Sequence, residues 1–426
     1  MLNDNGDFIG FDVVIGNPPY IQIQTLSEEQ KRAYQTSNYD TFDNSADIYC
    51  LFYELSLKLV LLDGYVNLIT SNKFIRSKYG IKTRNVLRKK QLLELIDFGE
   101  LPVFENAATF PLILTLKNTN TSNNFKYSQI DTLKFEKLEN LLLEKTFEVD
   151  YESLSDIDWN LINLETALIF KKMRNGSVKL GEFVNDKIYF GLKTGFNKAY
   201  IISEEEKNEF IKSDKNISSL IKPVITGDEM RRYECIHKKR YILVVKNGMD
   251  ISEYPSLVNH FEKYATELKK RTDKGKDYWQ LRSCDYYDSF DKTKIHIPAF
   301  AMEPRFPFDS SGFYSLGPAY FISTDSKYLA AIMNSRLFWF FLKRITPVLG
   351  NEEDNGRLVI RTVYLKEVPI KIISEKEQEP YIKLVDKIHS AKVAGKESND
   401  FEKEIDKMVY ELYTLTEEEI AIVENS

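Results

Sequence analysis

The stretch FDVVIGNPPY, residues 11–20, runs a short apolar strand straight into two consecutive prolines. Apolar side chains at 11, 13, 14 and 15, closed by Gly16, read as a strand over Phe11–Gly16. Two prolines in a row fix φ and remove two backbone donors, so the turn after the strand is stiff and presents only carbonyls. Asn17 adds a side-chain carbonyl at the strand's carboxyl end, where open α/β sheets bind their ligands. Two acceptors held there can grip both hydrogens of an exocyclic amino group, pull its nitrogen towards tetrahedral geometry and aim the lone pair at an electrophile. A conjugated amine is a poor nucleophile, so localising that lone pair is the main help it needs, and no strong general base is required. Tyr20 supplies a flat face for a ring to stack on. Taken alone, these four residues read equally well as a strand-ending turn with Tyr20 packed inside; the elements that follow favour chemistry.

Downstream, strands and helices alternate, the pattern of an α/β unit with parallel strands. Ser45 or Asn44 can cap a helix through 46–62, with Ile48, Leu51, Phe52, Leu55 and Leu59 at helical spacing and Asp63-Gly64 as its stop. YVNLIT (65–70), LLELIDF (92–98) and FPLILTLK (110–117) read as strands, with a helix over 79–90 and a polar turn at 118–124. From there short Tyr-, Phe- and Gly-rich segments mark a second, more β-rich α+β domain. The last stretch has helical charge patterning and a capping-box-like TEEE at 416–419. The expected boundaries are 1–130, 131–373 and 374–426. Gly195, Gly227 and Gly312 read as turn formers, and Phe338-Trp339-Phe340-Phe341 as core.

The 426 residues, 43% hydrophobic and 29% charged, suffice for two or three domains with their own cores. No apolar run approaches the ~20 residues of a membrane helix, and the N-terminus lacks the basic and apolar regions of a signal peptide. Cys50, Cys235 and Cys284 are too few and scattered for a disulfide framework or a zinc site, and four histidines never fall at ligand spacing. A cytoplasmic protein with no metal and no membrane partner is expected. The net charge of −6 is misleading: 374–426 holds 14 acidic and 7 basic residues, so the remainder is near +1. Within it, 222–246 carries seven Lys/Arg against three Asp/Glu, and 260–282 seven against four. Local basic stretches of this kind suit phosphate contact.

FDVVIGNPPY resembles the catalytic motif of the gamma-class N6-adenine DNA methyltransferases, which use S-adenosylmethionine. ADIYCLF (46–52), DGYVNLITSNKFI (63–75), YGIKTRNVLRKK with LLELIDFGE, and LPVFENAATFPLILTLK (101–117) resemble that family's later segments in order. The resemblance implies a partial Rossmann-like methyltransferase sheet, with Asn17, Pro18, Pro19 and Tyr20 as the catalytic motif. It also implies that Tyr20 and Phe104 stack the target adenine. That adenine must be swung out of the duplex before a methyl donor can approach its amino group in line. The family places its glycine-rich S-adenosylmethionine loop before the catalytic motif, but only 16 residues precede Asn17 and they contain no such loop. The cofactor half of the sheet is therefore expected to be missing, which leaves three explanations open: a truncated reading frame, a split enzyme completed by a separate polypeptide, or a decayed remnant. An open β-edge with uncovered apolar surface is expected with it.

GLKTGFNKAYII (191–202), LIKPVITGDEMRRY (220–233), LAAIMNSRLFWFFLK (329–343) and EIDKMVYELYTLTEEEIAIVE (404–424) resemble the TaqI-like target-recognition domain of type IIG restriction-modification enzymes. Double-stranded DNA is the implied partner. Arg231, Arg232, Lys238, Lys239 and Arg240 beside RYILVV, and Lys269, Lys270 and Arg271 ahead of Tyr278-Trp279, are the candidate DNA contacts. The nuclease site that such enzymes carry, Asp…Glu-x-Lys, has no convincing copy. The expected fold is thus α/β, a partial methyltransferase sheet followed by a mixed α+β target-recognition domain and a helical C-terminal tail. The expected activity is adenine-specific DNA methylation within a restriction-modification system. Two alternatives stay open: a non-catalytic DNA-binding specificity fragment that needs a partner for cofactor, and a methyltransferase acting on glutamine or on RNA adenine.

Overall fold

The structure, a computed structural model, describes every residue except 1, 3, 100, 105–109, 122, 155–158, 347 and 350–355. It separates into two units, residues 1–168 and 169–426. Among the described residues no helix is long and apolar enough to cross a membrane.

The first unit is built on one six-stranded sheet in the order β1-β2-β4-β3-β5-β6. The strands are β1 (Phe11–Gly16), β2 (Val60–Ser71), β3 (Gln91–Asp97), β4 (Pro111–Lys117), β5 (Phe125–Gln129) and β6 (Thr146–Val149). β1 runs parallel to β2, and β3 to β5, whereas β4 is antiparallel to both neighbours and β6 to β5. The sheet is therefore mixed, which corrects the expectation of parallel strands. A chain that leaves β3 at Asp97 and returns at Pro111 re-enters beside it in the opposite sense, and β4 slots between β2 and β3. Its fully buried Leu112, Leu114 and Leu116 face Tyr49, Tyr53, Phe74 and Trp159, also without solvent contact, in one apolar core.

Helix α1 (Glu28–Thr36) opens on a Ser27–Gln30 capping box, and α2 (Tyr49–Leu59) packs its Tyr49, Cys50, Leu51 and Tyr53 into that core. The expected cap and stop of α2 both differ. Ser45 spends its hydroxyl on the Asp43 carboxylate (2.6 Å), and α2 starts after Ile48 without a side-chain cap. At the other end the chain turns extended at Val60, which pairs with Phe11, and Asn118 donates to the Val60 and Leu61 carbonyls (3.3 and 3.2 Å). Asp63-Gly64 lies inside β2, where the register against β1 shifts. A side chain on Gly64 would come within 2.8 Å of the Asp12 carbonyl oxygen, so this irregularity needs glycine. Helix α3 (Ile81–Leu87) is shorter than 79–90, and α4 (Leu138–Lys145) follows β5.

The unit boundary also falls later than residue 130. β5 and β6 extend the sheet, and Trp159 plugs the core with its backbone N–H on the Ile75 carbonyl (3.1 Å). At the other side of the sheet β1 pairs, among the described residues, only with β2. It exposes Val13 (48%) and Ile15 (76%), an apolar open edge.

The second unit combines several small sheets with helices. One sheet orders Phe308–Asp309, Lys294–Pro298, Ala319–Ser323 and Ile188–Phe190; another orders Tyr314–Ser315, Ile221–Ile225, Tyr241–Leu243 and Ile201–Ile202. Phe338, Phe340 and Phe341 are buried in helix Arg336–Ile345, as their apolar spacing implies. The helices Glu375–Val393, Asn399–Leu412 and Glu417–Glu424 close the chain, two of them on capping boxes that include Thr416–Glu419. They are part of this unit rather than a separate tail: Tyr413 donates to the Pro369 carbonyl (3.0 Å), and Arg232 bridges Asp406 and Glu402.

Candidate functional site

The carboxyl ends of β1, β2 and β3 lie along one edge of the first sheet, since β1 parallels β2 and β4 is antiparallel to both β2 and β3. Asn17-Pro18-Pro19-Tyr20 follows β1, Asn72 follows β2, and Asp97 closes β3. Asn17 is exposed while Pro18 is buried, so the turn is anchored through the proline and the amide is left open to solvent. Tyr20 is half-buried and donates its hydroxyl to the Ile69 carbonyl of β2 at 3.1 Å. Burial pushes that phenol up to about 12, so Tyr20 stays neutral and serves as a ring. Backbone bonds from Ile48 to Ile21 (2.8 Å) and from Ile23 to Ala46 (2.9 Å) fix the chain just past it.

Phe104 stands beside Tyr20, with ring centroids 6.1 Å apart and planes tilted by 59°. Tyr49 meets Tyr20 edge-on from another side, at 6.2 Å. Two aromatics separated by 84 positions in the sequence are thus brought together, one of them three residues beyond the exposed Asn17.

Phe104 belongs to the segment from 98 to 110, and both ends of that segment are held by one group. Asp97 Oδ1 accepts the Gly99 N–H (2.9 Å) and the Asn72 side-chain amide (2.9 Å), while Oδ2 accepts the Tyr127 hydroxyl (3.3 Å). Asn72 in turn donates its backbone N–H to the Phe110 carbonyl at 2.7 Å. Burial raises the Asp97 carboxyl above its ordinary value, against the pull of these donors. Sequence reasoning missed Asp97 and Asn72, although polar residues at the carboxyl ends of two apolar strands were a signal. Asp47 lies beneath the same region, raised by burial and touched by the Tyr79 hydroxyl at 3.4 Å.

The basic residues of the second unit divide into two kinds. Arg271 is buried and donates to the Tyr200 hydroxyl (2.7 Å) and the Tyr278 (2.7 Å), Gln280 (2.9 Å) and Thr194 carbonyls. Arg232 bonds Asp406 (3.0 Å), Glu402 (3.1 Å) and the Asn334 carbonyl (2.9 Å). Arg240 pairs with the buried Glu229. Arg271 is therefore turned inward rather than towards a DNA-facing surface, while Arg232 and Arg240 stay part-exposed with their guanidinium groups engaged by carboxylates. Arg231 folds back onto the Asp228 and Met230 carbonyls (both 2.8 Å). Lys238 and Lys239 are exposed and pair with Asp228 and Glu204, bonds weak enough for a phosphate to displace. Lys269 and Lys270 are exposed, the former 5.2 Å over the Tyr278 ring.

One buried constellation has the composition of a nucleophilic triad. His296 Nδ1 lies 2.6 Å from Ser315 Oγ and Nε2 lies 3.2 Å from Asp309, which also receives Lys294 at 3.3 Å. Burial opposes the charge on Asp309, but the His296 hydrogen bond and the Lys294 charge hold its carboxyl down at about 2. Ser315, His296 and Lys294 are all without solvent contact, so no substrate reaches them and the network is structural. No cluster of metal-ligating side chains occurs among the described residues.

Comparison with known proteins agrees with both units. Residues 2–104 match the Eco57I restriction-modification methylase family, and residues 222–370 match the TaqI-like C-terminal specificity domain. The chain is 23% identical, over 99% of its length and 77% of the relative's, to the Type II methyltransferase M.BstVI of Geobacillus stearothermophilus. It is 32% identical to the Type II restriction enzyme and methyltransferase RM.Eco57I of Escherichia coli, over 47% of this chain and 20% of that one. In fold it resembles the Type IIL restriction-modification enzyme MmeI, solved in complex with DNA, with a TM-score of 0.60 at 14% identity. That match covers 96% of this chain, which spans about half (55%) of the solved one.

Proposed function

We propose that this chain, an Eco57I restriction-modification methylase segment joined to a TaqI-like C-terminal specificity domain, is an adenine-specific DNA methyltransferase of a cytoplasmic restriction-modification system. The reaction moves a methyl group from S-adenosylmethionine to N6 of an adenine swung out of double-stranded DNA. The observation that carries this reading is the approach of Tyr20 and Phe104 beside the exposed Asn17 at the carboxyl end of β1.

The Asn17 side-chain carbonyl and the Pro18 backbone carbonyl accept the two amino hydrogens and leave the nitrogen lone pair aimed outward. Pro19 keeps the turn rigid and Tyr20 stacks the ring. A base held between two aromatic faces needs about 7 Å between them, twice the base-step spacing of roughly 3.4 Å. From 6.1 Å and a 59° tilt, Phe104 has to swing towards parallel with Tyr20 and move outward to admit it. Stacking worth ~1–3 kcal/mol per base offsets a flip that costs a few kcal/mol.

S-adenosylmethionine supplies the electrophilic methyl group when bound. The described residues contain no glycine-rich strand–helix turn and do not fit that cofactor, so this chain's part concerns the acceptor base. The open, apolar edge of β1 is where the cofactor-holding part of the sheet pairs, whether it is covalently continuous or a separate polypeptide. That edge also supports a second reading, a specificity fragment inactive until completed.

The test is transfer of labelled methyl to duplex DNA, with base analysis at adenine N6. Asn17→Ala abolishes transfer and leaves DNA retention intact. Joint loss of both properties removes Asn17 from the acceptor role, and label on protein glutamine or RNA instead of DNA refutes the substrate.

A further inference from the structure

One strand face of the second unit exposes apolar side chains together with two guanidinium groups. Strand Phe300–Ala301 pairs antiparallel with strand Arg357–Val359, Phe300 opposite Val359 and Ala301 opposite Leu358. The Ile360 N–H on the Ala299 carbonyl (2.9 Å) carries the same register further. That register sets Met302 opposite Arg357 and Pro298 opposite Arg361. Side chains alternate along each strand, so the two faces differ sharply. Ala299, Ala301, Leu358 and Ile360 are buried on the inner one. The outer face exposes Phe300 (43%) and Met302 (45%) together with Arg357 and Arg361.

Among the described residues neither arginine is paired with a carboxylate, in contrast to Arg232 and Arg240. An aromatic and a methionine left in water beside two exposed arginines is an unfinished interface. The charge selects an anionic partner, and the flat apolar side chains select one with stacked faces or apolar edges. Arg357 and Arg361 are four residues apart, about 13 Å along a strand, which matches four base steps of roughly 3.4 Å.

We propose that this face, Phe300 and Met302 flanked by Arg357 and Arg361, docks on double-stranded DNA, the arginines on phosphates and the two apolar side chains against base steps. The inference rests on the DNA-modifying reading above and assigns a contact surface beyond the exposed lysines at 238–239 and 269–270. Wedging apolar side chains between steps also kinks a duplex, which makes it easier to extrude a base nearby.

The experiment is equilibrium binding of the full chain to a mixed-sequence duplex between about 50 and 200 mM salt. Each lost phosphate contact flattens the slope of log K against log salt by about 0.9. The double variant Arg357→Ala/Arg361→Ala therefore flattens it by about 1.8, on the same basis. Lys383→Ala, which removes a charge paired with Glu379 on a remote helix face, leaves it unchanged. Phe300→Ala weakens binding on the order of 10-fold with the slope retained. A wild-type chain that binds DNA alongside a double variant with the same affinity and slope overturns this inference alone. A wild-type chain that retains no duplex at any salt overturns it together with the proposed function. If Phe300→Ala instead converts a DNA-free dimer to monomer in sedimentation, the face joins two copies and the inference fails.

Discussion

Replacing Asp97 separates a positioning role from a merely structural one. In Asp97→Ala the Gly99 N–H, the Asn72 amide and the Tyr127 hydroxyl all lose their acceptor. Each buried donor left without a partner costs about 1–3 kcal/mol. Tyr127 is almost wholly enclosed, whereas water can reach part of the Gly99 turn, so a total of about 3 kcal/mol is expected on this scale. Asp97→Asn behaves differently. Its carbonyl still accepts both Gly99 and Asn72, and its amide donates to Tyr127 once that hydroxyl reverses its role. Because burial raises the Asp97 carboxyl, the folded state binds more protons than the unfolded one between the ordinary carboxylate value and the raised one. Stability therefore falls as pH rises through that window, and the loss persists above it. The asparagine variant escapes this penalty, so it gains on the wild type as pH increases through the window. Denaturant titration gives the stabilities, and native-state hydrogen exchange at Gly99 and Asn72 reads the two ends of the Phe104 segment. Methyl transfer should fall on the order of 100-fold in the alanine variant, the cost of a misplaced contact, and recover in the asparagine variant. Wild-type exchange at both amides with stability unchanged in Asp97→Ala would refute the clamp.

Two further perturbations test the second unit. Arg271→Ala, which leaves four acceptors around an emptied buried site, should destabilise by about 3–5 kcal/mol in thermal or denaturant unfolding, whereas Lys238→Ala should change stability by less than about 1 kcal/mol. Asp309 is held at about 2 in the folded state, below its ordinary 3.8, so its contribution is complete above pH 4 and is lost as pH falls through about 2. Acid titration of stability should show a loss of about 2 kcal/mol across that window, and Asp309→Asn should lack this step.

The first strand and the turn after it were legible because alternation, a glycine and two prolines act locally. The placement of Phe104 beside Tyr20 was anticipated only through resemblance, as nothing in its own neighbours sets it apart from a core ring. Strand direction was not legible: an apolar run such as PLILTLK buries its leucines equally well in either sense, and the order of the return from β3 decides it. Arg232 and Arg271 look like their basic neighbours in sequence. Some of their acceptors come from afar, Asp406 lying 174 positions from Arg232 and Thr194 77 from Arg271, so the engagement of these cations is a property of the tertiary fold. The same holds for the Ser315–His296–Asp309 network, whose spacing carries no motif. The outward face at Phe300 and Arg357 was visible as period-two alternation in AFAM and RLVIR, but only pairing of the two segments gives it meaning.

The one-sided ladder on β1 ties geometry to assembly. In the proposed reaction the Asn17 carbonyl is held about 1.9–2.0 Å from an amino hydrogen, yet among the described residues the strand before it is paired along a single side, and the two prolines that follow have no N–H to pair. Fraying of β1 translates directly into scatter of that acceptor. A strand added at the free side would halve the ways in which β1 can breathe, so completion of the sheet would sharpen the aim of a residue it never touches.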